Sequence, residues 1–499
     1  MNDEIMPKKD STFAALMVGL LLAAVHQYLF YGNEIGISVP IFIVLFYAYM
    51  IYYCKGILRK PTWFSYAWLA SIFLLSLTYL LFQNPFFFSL NLLAIPALII
   101  LHMTYMLNRR RLSWSSPALI WSALEQLFPQ NLKHWANVFG ILKKTAGRKV
   151  KDGQKEVYRK ILIGLAISCP LLLVVITLLS SADGIFNKVL SEIPTWLNQV
   201  SFGEGLVRTI WIVVLGLGFF GLLQGFVKPY LPEEMPFEKN WDHLEPSPPF
   251  RLDPIIATTI LFSVNTVYVL FVVVQFSYLF GAWEGILPEG SSYADYARSG
   301  FFELILVTSI NFVILMSTLL LGGKGSGMQN KIINSLLYVL VGCSIVMLYS
   351  AFTRLGLYEE AYGYTYIRFL VHAFMIFLGV LLMIAGLRIH LQQLPLAKYY
   401  IVLGLFSYVL MNYVGMDVII ANRNIDRYET SGKLDAQYLS TLSSDATPIL
   451  IKFSRKEKGM LDQDLRDQWW DDAQVKRSWP SYNISQQRAH RELEKYFAQ

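Results

Sequence analysis

Long, nearly uncharged apolar runs recur from one end of this chain to the other. A helix needs about 20 mostly apolar residues to cross the hydrocarbon of a bilayer. Runs of that kind lie near 12–31, 37–54, 63–82, 90–107, 161–180, 206–227, 255–280, 301–321, 332–352, 369–387 and 400–420. The expected fold is therefore all-α, a polytopic membrane protein with about eleven transmembrane helices. The first run has no small-residue cleavage site and is followed at once by a second, so it reads as a retained span and not a signal peptide.

Composition agrees, because only 15% of the residues are charged against roughly 25% in soluble domains. The net charge of +7 is ordered along the chain in a way that needs no nucleic acid. With the N-terminus in the cytoplasm behind Lys8 and Lys9, alternate loops collect Lys55, Arg59, Lys60, the arginine triplet 109–111, eight basic residues between Lys143 and Lys160, Lys228, Lys324, Lys331, Arg388 and Lys398. The opposite loops hold little beyond Lys188, Arg298, Arg354 and Arg368. That asymmetry follows the positive-inside rule and places the C-terminus outside the cytoplasm. Cys54, Cys169 and Cys343 all fall inside expected spans, with spacing that suits neither a disulfide framework nor a zinc site. No metal and no cofactor is expected.

The chain divides into a four-helix membrane region over 1–107, a cytoplasmic segment over 108–160, two membrane helices over 161–227, a proline-rich linker over 228–254, a five-helix membrane region over 255–420 and a helical tail over 421–499. The cytoplasmic segment contains "SPALIWSALEQLFPQNLKHWANVFGILKK", with apolar residues at helical spacing and Pro129 expected to divide it into two helices. Its basic flank, including Lys143, Lys144, Arg148, Lys149 and Lys151, suits a surface of anionic lipid or simply marks the cytoplasmic end of the next span. In the tail, Asp435 is placed to cap a short helix, and a terminal helix should start near Asn483.

Polar residues concentrate at the outer ends of the C-terminal spans. In "YADYARSGFFEL", Tyr296 and Glu303 lie near one helical face, and Arg298 stands at the entrance. A carboxylate inside an apolar run costs on the order of 2.5–3.5 kcal/mol, so Glu303 should meet a partner or water. The preceding span offers Asn265 and Gln275 on one face. "RLGLYEEAYGYTYIRFLVH" supplies Arg354, Glu359, Arg368 and His372. Together these form a candidate outward-facing polar site. Any one of them alone is more simply read as a helix-end charge or a staple between loops; it is their clustering that suggests a site.

"SSADGIF", "YADYARSGFFEL", "RLGLYEEAYGYTYIR" and "YLSTLSSDATP" occur in this order. Together they resemble a bacterial family of polytopic membrane proteins known as domain of unknown function 4173, related to family 4153. The resemblance spans roughly residues 160–450 and implies a bacterial plasma-membrane protein with a helical core; it brings no catalytic residues. The leading reading is non-enzymatic: envelope ligand binding or sensing, or scaffolding of an envelope protein partner, with anionic lipid at the inner face. One alternative is a membrane carrier. The other is an envelope enzyme using a lipid-linked donor, for which Glu34 and Asp183 are the available acids.

Overall fold

The computed structural model describes residues 9–109, 111–145, 168, 203–230, 252–283, 301–321, 323, 326–475 and 477–498. The expected span 161–180, the connector from 231 to 251, Cys169, Tyr296, Arg298, Arg148, Lys149 and Lys151 lie outside the described residues. Within them the chain is helical, apart from turns and one bridge where Leu252 bonds to Leu321 and Gly323. Eight helices are long and apolar enough to cross a membrane, or nine if one bent pair counts as a single span. Ser38–Cys54 is equally apolar but only 17 residues long.

The chain forms two compact units: Met1–Glu233 with Val475–Gln487, and Glu234–Gln474 with Arg488–Gln499. The first contains α1 (Lys9–Phe30), α2 (Ser38–Cys54), α3 (Trp63–Leu81), α4 (Pro85–Leu107), α5 (Pro117–Glu125), α6 (Asn131–Thr145) and α7 (Gly203–Val227). α1 packs along α7, and α3 packs along α4. Pro129 does not end the helix between α5 and α6. A π-turn over Gln126–Gln130 absorbs it, since a wider turn tolerates the missing N–H without breaking the run.

This α5–α6 segment docks on the end of α7. Gly221 and Gly225, four residues apart, clear the way: a methyl group at Gly221 would stand 2.0 Å from Asn131 Oδ1, and one at Gly225 would stand 2.2 Å from Gln126 Nε2. Small residues at this spacing let two backbones approach closely. The closeness brings side-chain donors onto main-chain carbonyls in the last turns of α7 and just beyond its end. Gln126 donates to Leu222 O at 3.1 Å, and His134 Nε2 to Lys228 O at 3.0 Å. Gln130 exchanges two bonds with the main chain of Tyr230.

The segment is inside out. Ser122, Gln126, Gln130, Asn131 and His134 are buried against the protein, whereas Ile120, Trp121, Leu124 and Phe128 are exposed, Trp121 by 76%. A helical segment with its amides inward and its apolar side chains outward is arranged for a hydrocarbon neighbour.

The chain's late return, residues 475–487, packs on the loops α1–α2 and α3–α4. Asn483 donates to Tyr79 O at 2.9 Å and Phe82 O at 2.8 Å, closing the end of α3. Ile37 N–H bonds Tyr482 O at 3.1 Å. Gly36 permits this approach, because a methyl group there would lie 2.6 Å from Tyr482 O.

The second unit contains α8 (Pro254–Trp283), α9 (Phe301–Leu321), α10 (Gly327–Tyr362), α11 (Tyr366–His390), α12 (Leu396–Tyr413), α13 (Met416–Ser431), α14 (Ala436–Ser440), α15 (Thr447–Lys456) and α16 (Asp462–Gln474). A terminal helix, α17 (Ile484–Phe497), has its first turn in the first unit and the rest in the second. Asn483 caps it through Gln486 N–H at 3.0 Å, and Asp435 caps α14 through Tyr438 N–H at 2.9 Å; both caps sit where the sequence places them.

α10 is the axis of this unit, packed by α8, α9 and α11. Leu340, Met347, Ala351 and Leu355 form its buried seam. At 36 residues it is about 54 Å long, well beyond the roughly 30 Å hydrocarbon core. Apolarity stops near 352, but helical hydrogen bonding does not, and Arg354, Glu359 and Glu360 ride on the same rod. The last apolar run also divides. α12 ends at Tyr413, Gly415 turns through a positive φ of 69°, and α13 leaves at 59°.

Burial pushes His134 down to about 4. A histidine neutral when docked and protonatable when released stabilises docking fully above about 6.5 and progressively less as pH falls towards 4, by at most about 1.4 kcal/mol per unit. Hydrogen-exchange protection of the α5–α6 segment should therefore fall over that window. In His134→Gln, which keeps a donor but cannot titrate, the slope should flatten; an unchanged slope would assign it to another group.

Candidate functional site

The described candidate residues fall into three places. Glu303 lies in the first turn of α9 and is exposed. Asn265 is buried and donates to Leu336 O of α10 at 2.8 Å. Its counterpart Asn311, on α9, donates to Ser344 Oγ at 3.0 Å. Both amides tie neighbouring helices to α10, as polar side chains do between helices in lipid. Gln275 lies on α8. Lys143 and Lys144 lie near the end of α6.

The third place is a node at the α10–α11 junction, where Glu359, Arg368 and His372 come together. Glu359 Oε2 and His372 Nε2 are 3.0 Å apart, with Glu359 almost fully buried. Phe352 covers the imidazole edge-on at 4.4 Å. Arg368 lies over the Tyr358 ring at 4.4 Å and donates to Gly363 O. Arg354 stands half-buried on α10 two turns before Tyr362.

What holds the node is α13, which straddles the expected boundary at 420 between the last apolar run and the tail. Asn424 accepts from Tyr364 N–H at 3.0 Å and donates to Tyr364 O at 2.9 Å, so one amide fastens both main-chain groups of the junction. Three residues on, the Arg427 guanidinium donates to Glu360 O and Ala361 O, each at 2.7 Å. These carbonyls end α10 and carry its partial negative charge, so an arginine is the apt cap.

Asp417, buried in the first turn of α13, accepts from Tyr366 Oη and from Ser443 N–H at 3.0 Å. Tyr438 Oη accepts Tyr366 N–H at 2.8 Å. Burial, reinforced by Glu359 and Asp417, holds the Tyr364 and Tyr438 hydroxyls above the usual tyrosine range, so both stay protonated. Two buried polar atoms in the node have no partner among the described residues: His372 Nδ1 and Ser443 Oγ.

Two of the quoted motifs thus meet in space. Residues 354–368 supply Tyr358, Glu359, Tyr364 and Arg368; residues 438–448 supply Tyr438 and Ser443. Asn424 and Arg427 were missed because nothing local distinguishes them from solvent-facing residues of a polar helix. The only signal was their spacing, which puts them on one face.

Elsewhere, Glu34 pairs with Arg477 at 3.3 Å within the first unit, and no cluster suited to a metal ion occurs among the described residues. Asp183 lies outside them.

Removing the Asn424 amide orphans both main-chain groups of Tyr364, at about 1–3 kcal/mol for each buried group. Asn424→Ala should lower thermal stability in detergent and open residues 362–366 to proteolysis. Arg423→Ala, an exposed neighbour, should do neither. Equal losses would mean that the amide clasp carries no special weight.

Comparison with known families and structures gives one match. A family model described as Domain of unknown function (DUF4153) matches residues 69–453, a range that contains both motifs of the node. It is this family, and not its relative 4173, that the match supports. No curated protein and no solved structure matches.

Proposed function

The chain belongs to the DUF4153 family, and from that premise we propose that it is a multi-pass protein of the bacterial plasma membrane that works by binding. Its outward-facing node acts as an envelope sensor or scaffold, joining the membrane core to the helical tail. The observation that carries this reading is His372 Nδ1, which is buried and, like Ser443 Oγ, has no partner among the described residues, while the groups around them hold one another. An ionisable group in a membrane helix is costly unless it has a role. A ligand or partner group that completes this atom would be felt by Glu359 on α10 and, through the α11 terminus, by Asp417 of α13 and Ser443 of the tail.

The geometry favours this over the two alternatives. Asn265 and Asn311, which a carrier would use to line a path, donate their amide N–H groups to α10, although the Oδ1 of each has no partner among the described residues. Glu34, one of the two acids of the enzyme reading, is held by Arg477. The N-terminus is assigned to the cytoplasm and the tail to the outside on the distribution of basic residues. Anionic lipid is the partner proposed for the basic flank at Lys143 and Lys144.

A photo-crosslinking residue in place of the exposed Trp470 of α16, in cells expressing the full chain, should capture a discrete envelope component. His372→Leu should reduce that capture at unchanged protein level. A substrate turnover or a solute flux in liposomes that falls with Glu359→Gln would replace this reading with an enzyme or a carrier.

A further inference from the structure

We infer that the first unit holds one hydrocarbon chain of a membrane lipid, in a cavity between α1, α2, α4 and α7. This site is separate from the node and does not depend on the function proposed for it. The cavity measures about 480 Å³, within the range of ligand sites. Phe30 of α1, Phe42 and Phe46 of α2, Ile95 and Ile99 of α4 and Phe219 of α7 line it. Leu127 and Asn131, from the π-turn and α6, lie at one end.

Its shape suits a chain better than a compact molecule. Along α4 the lining runs from Asn91 to Ile100, about 13 Å at 1.5 Å per residue.

Its lining is almost wholly apolar, which favours an apolar occupant. The polar side chains on the wall are engaged elsewhere. Tyr79 Oη donates to Phe88 O at 2.8 Å and Asn91 Nδ2 to Thr78 Oγ1 at 3.2 Å. Asn131 Oδ1 accepts from Trp135 Nε1 at 2.9 Å. The His26 ring packs among Phe30, Phe42 and Trp211. What remains is hydrocarbon surface, which loses dispersion contacts when nothing faces it.

Access is from the bilayer side. Leu92 lines the cavity while 48% exposed, and its neighbour Leu93 is 75% exposed. The cavity is thus continuous with the lipid-facing surface of α4, and a lipid tail is the apolar molecule at hand there.

Gly218 makes the site testable. It lies on the cavity wall, and a methyl group at its Cα would meet nothing nearer than 4.0 Å, so a leucine can fill the space without displacing a backbone. The full-length protein is reconstituted with either a phospholipid carrying a photoreactive acyl chain or a polyprenyl phosphate carrying a photoreactive isoprenoid. Labelling is mapped by peptide. Peptides containing Leu92 and Phe219 should label, and Gly218→Leu should lower that labelling about tenfold, equivalent to ~1.4 kcal/mol. Gly218→Ala should change it little, and labelling at the lipid-exposed Leu270 of α8 should be unaffected.

Val39→Phe, filling the cavity from α2, should reproduce the loss if Gly218→Leu folds poorly. The probe that labels identifies the source as acyl or isoprenoid. Labelling at Leu92 and Phe219 that matches Leu270 and ignores both filling variants would show only bulk lipid and overturn the proposal.

Discussion

A main-chain carbonyl that ends a helix in or near hydrocarbon has no water to turn to, and leaving it unpaired costs several kcal/mol. Much of the architecture answers that constraint. The C-terminus of α3 is closed by Asn483. That of α7 is closed by Arg109, which donates to Val227 O at 2.8 Å, with His134 donating to Lys228 O just beyond it. That of α10 is closed by Arg427. In each case the donor comes from a distant part of the chain, so satisfying a helix end also fastens a segment. Capping here is tertiary structure.

The same logic separates the two candidate sites. In the node, amide, guanidinium and carboxylate groups meet main-chain and side-chain partners, and the groups left over are few enough to be informative. In the cavity of the first unit the polar groups point their hydrogen bonds away, and the apolar remainder defines the occupant. One site is recognisable by an unmet bond and the other by an unmet surface. The inside-out α5–α6 segment contributes to the second, since its docked face supplies one end of the cavity while its outer face offers Trp121 and Phe128 to the surroundings.

Sequence reasoning located the node only in part. Glu359, Arg368 and His372 were visible because charges at the rim of apolar helices are rare. Their immediate neighbours in the argument, Glu303 and Asn265, proved to sit elsewhere. Helical periodicity says which residues share a face of one helix, not which face meets another helix. Asp417 was read at the end of a span, whereas Gly415 turns the chain so that it opens a new helix over the junction. The two glycines of α7 were legible as letters, but their meaning depended on Asn131 and Gln126 being the atoms opposite.

The sequence by itself determined that the chain is helical and suited to a membrane, where its apolar runs lie, and the caps at Asp435 and Asn483. These follow from local composition and from the need of each helix to satisfy its own backbone. Only the tertiary structure decided that Asn424 clasps Tyr364, that amides face inward on α5 and α6, and that α1, α2, α4 and α7 leave a hydrocarbon-lined space. Those outcomes depend on which surfaces pack together, and in an apolar medium burial alone does not choose. Close approach at small residues and the pairing of individual polar atoms make the choice, and both are properties of pairs of segments far apart in the chain.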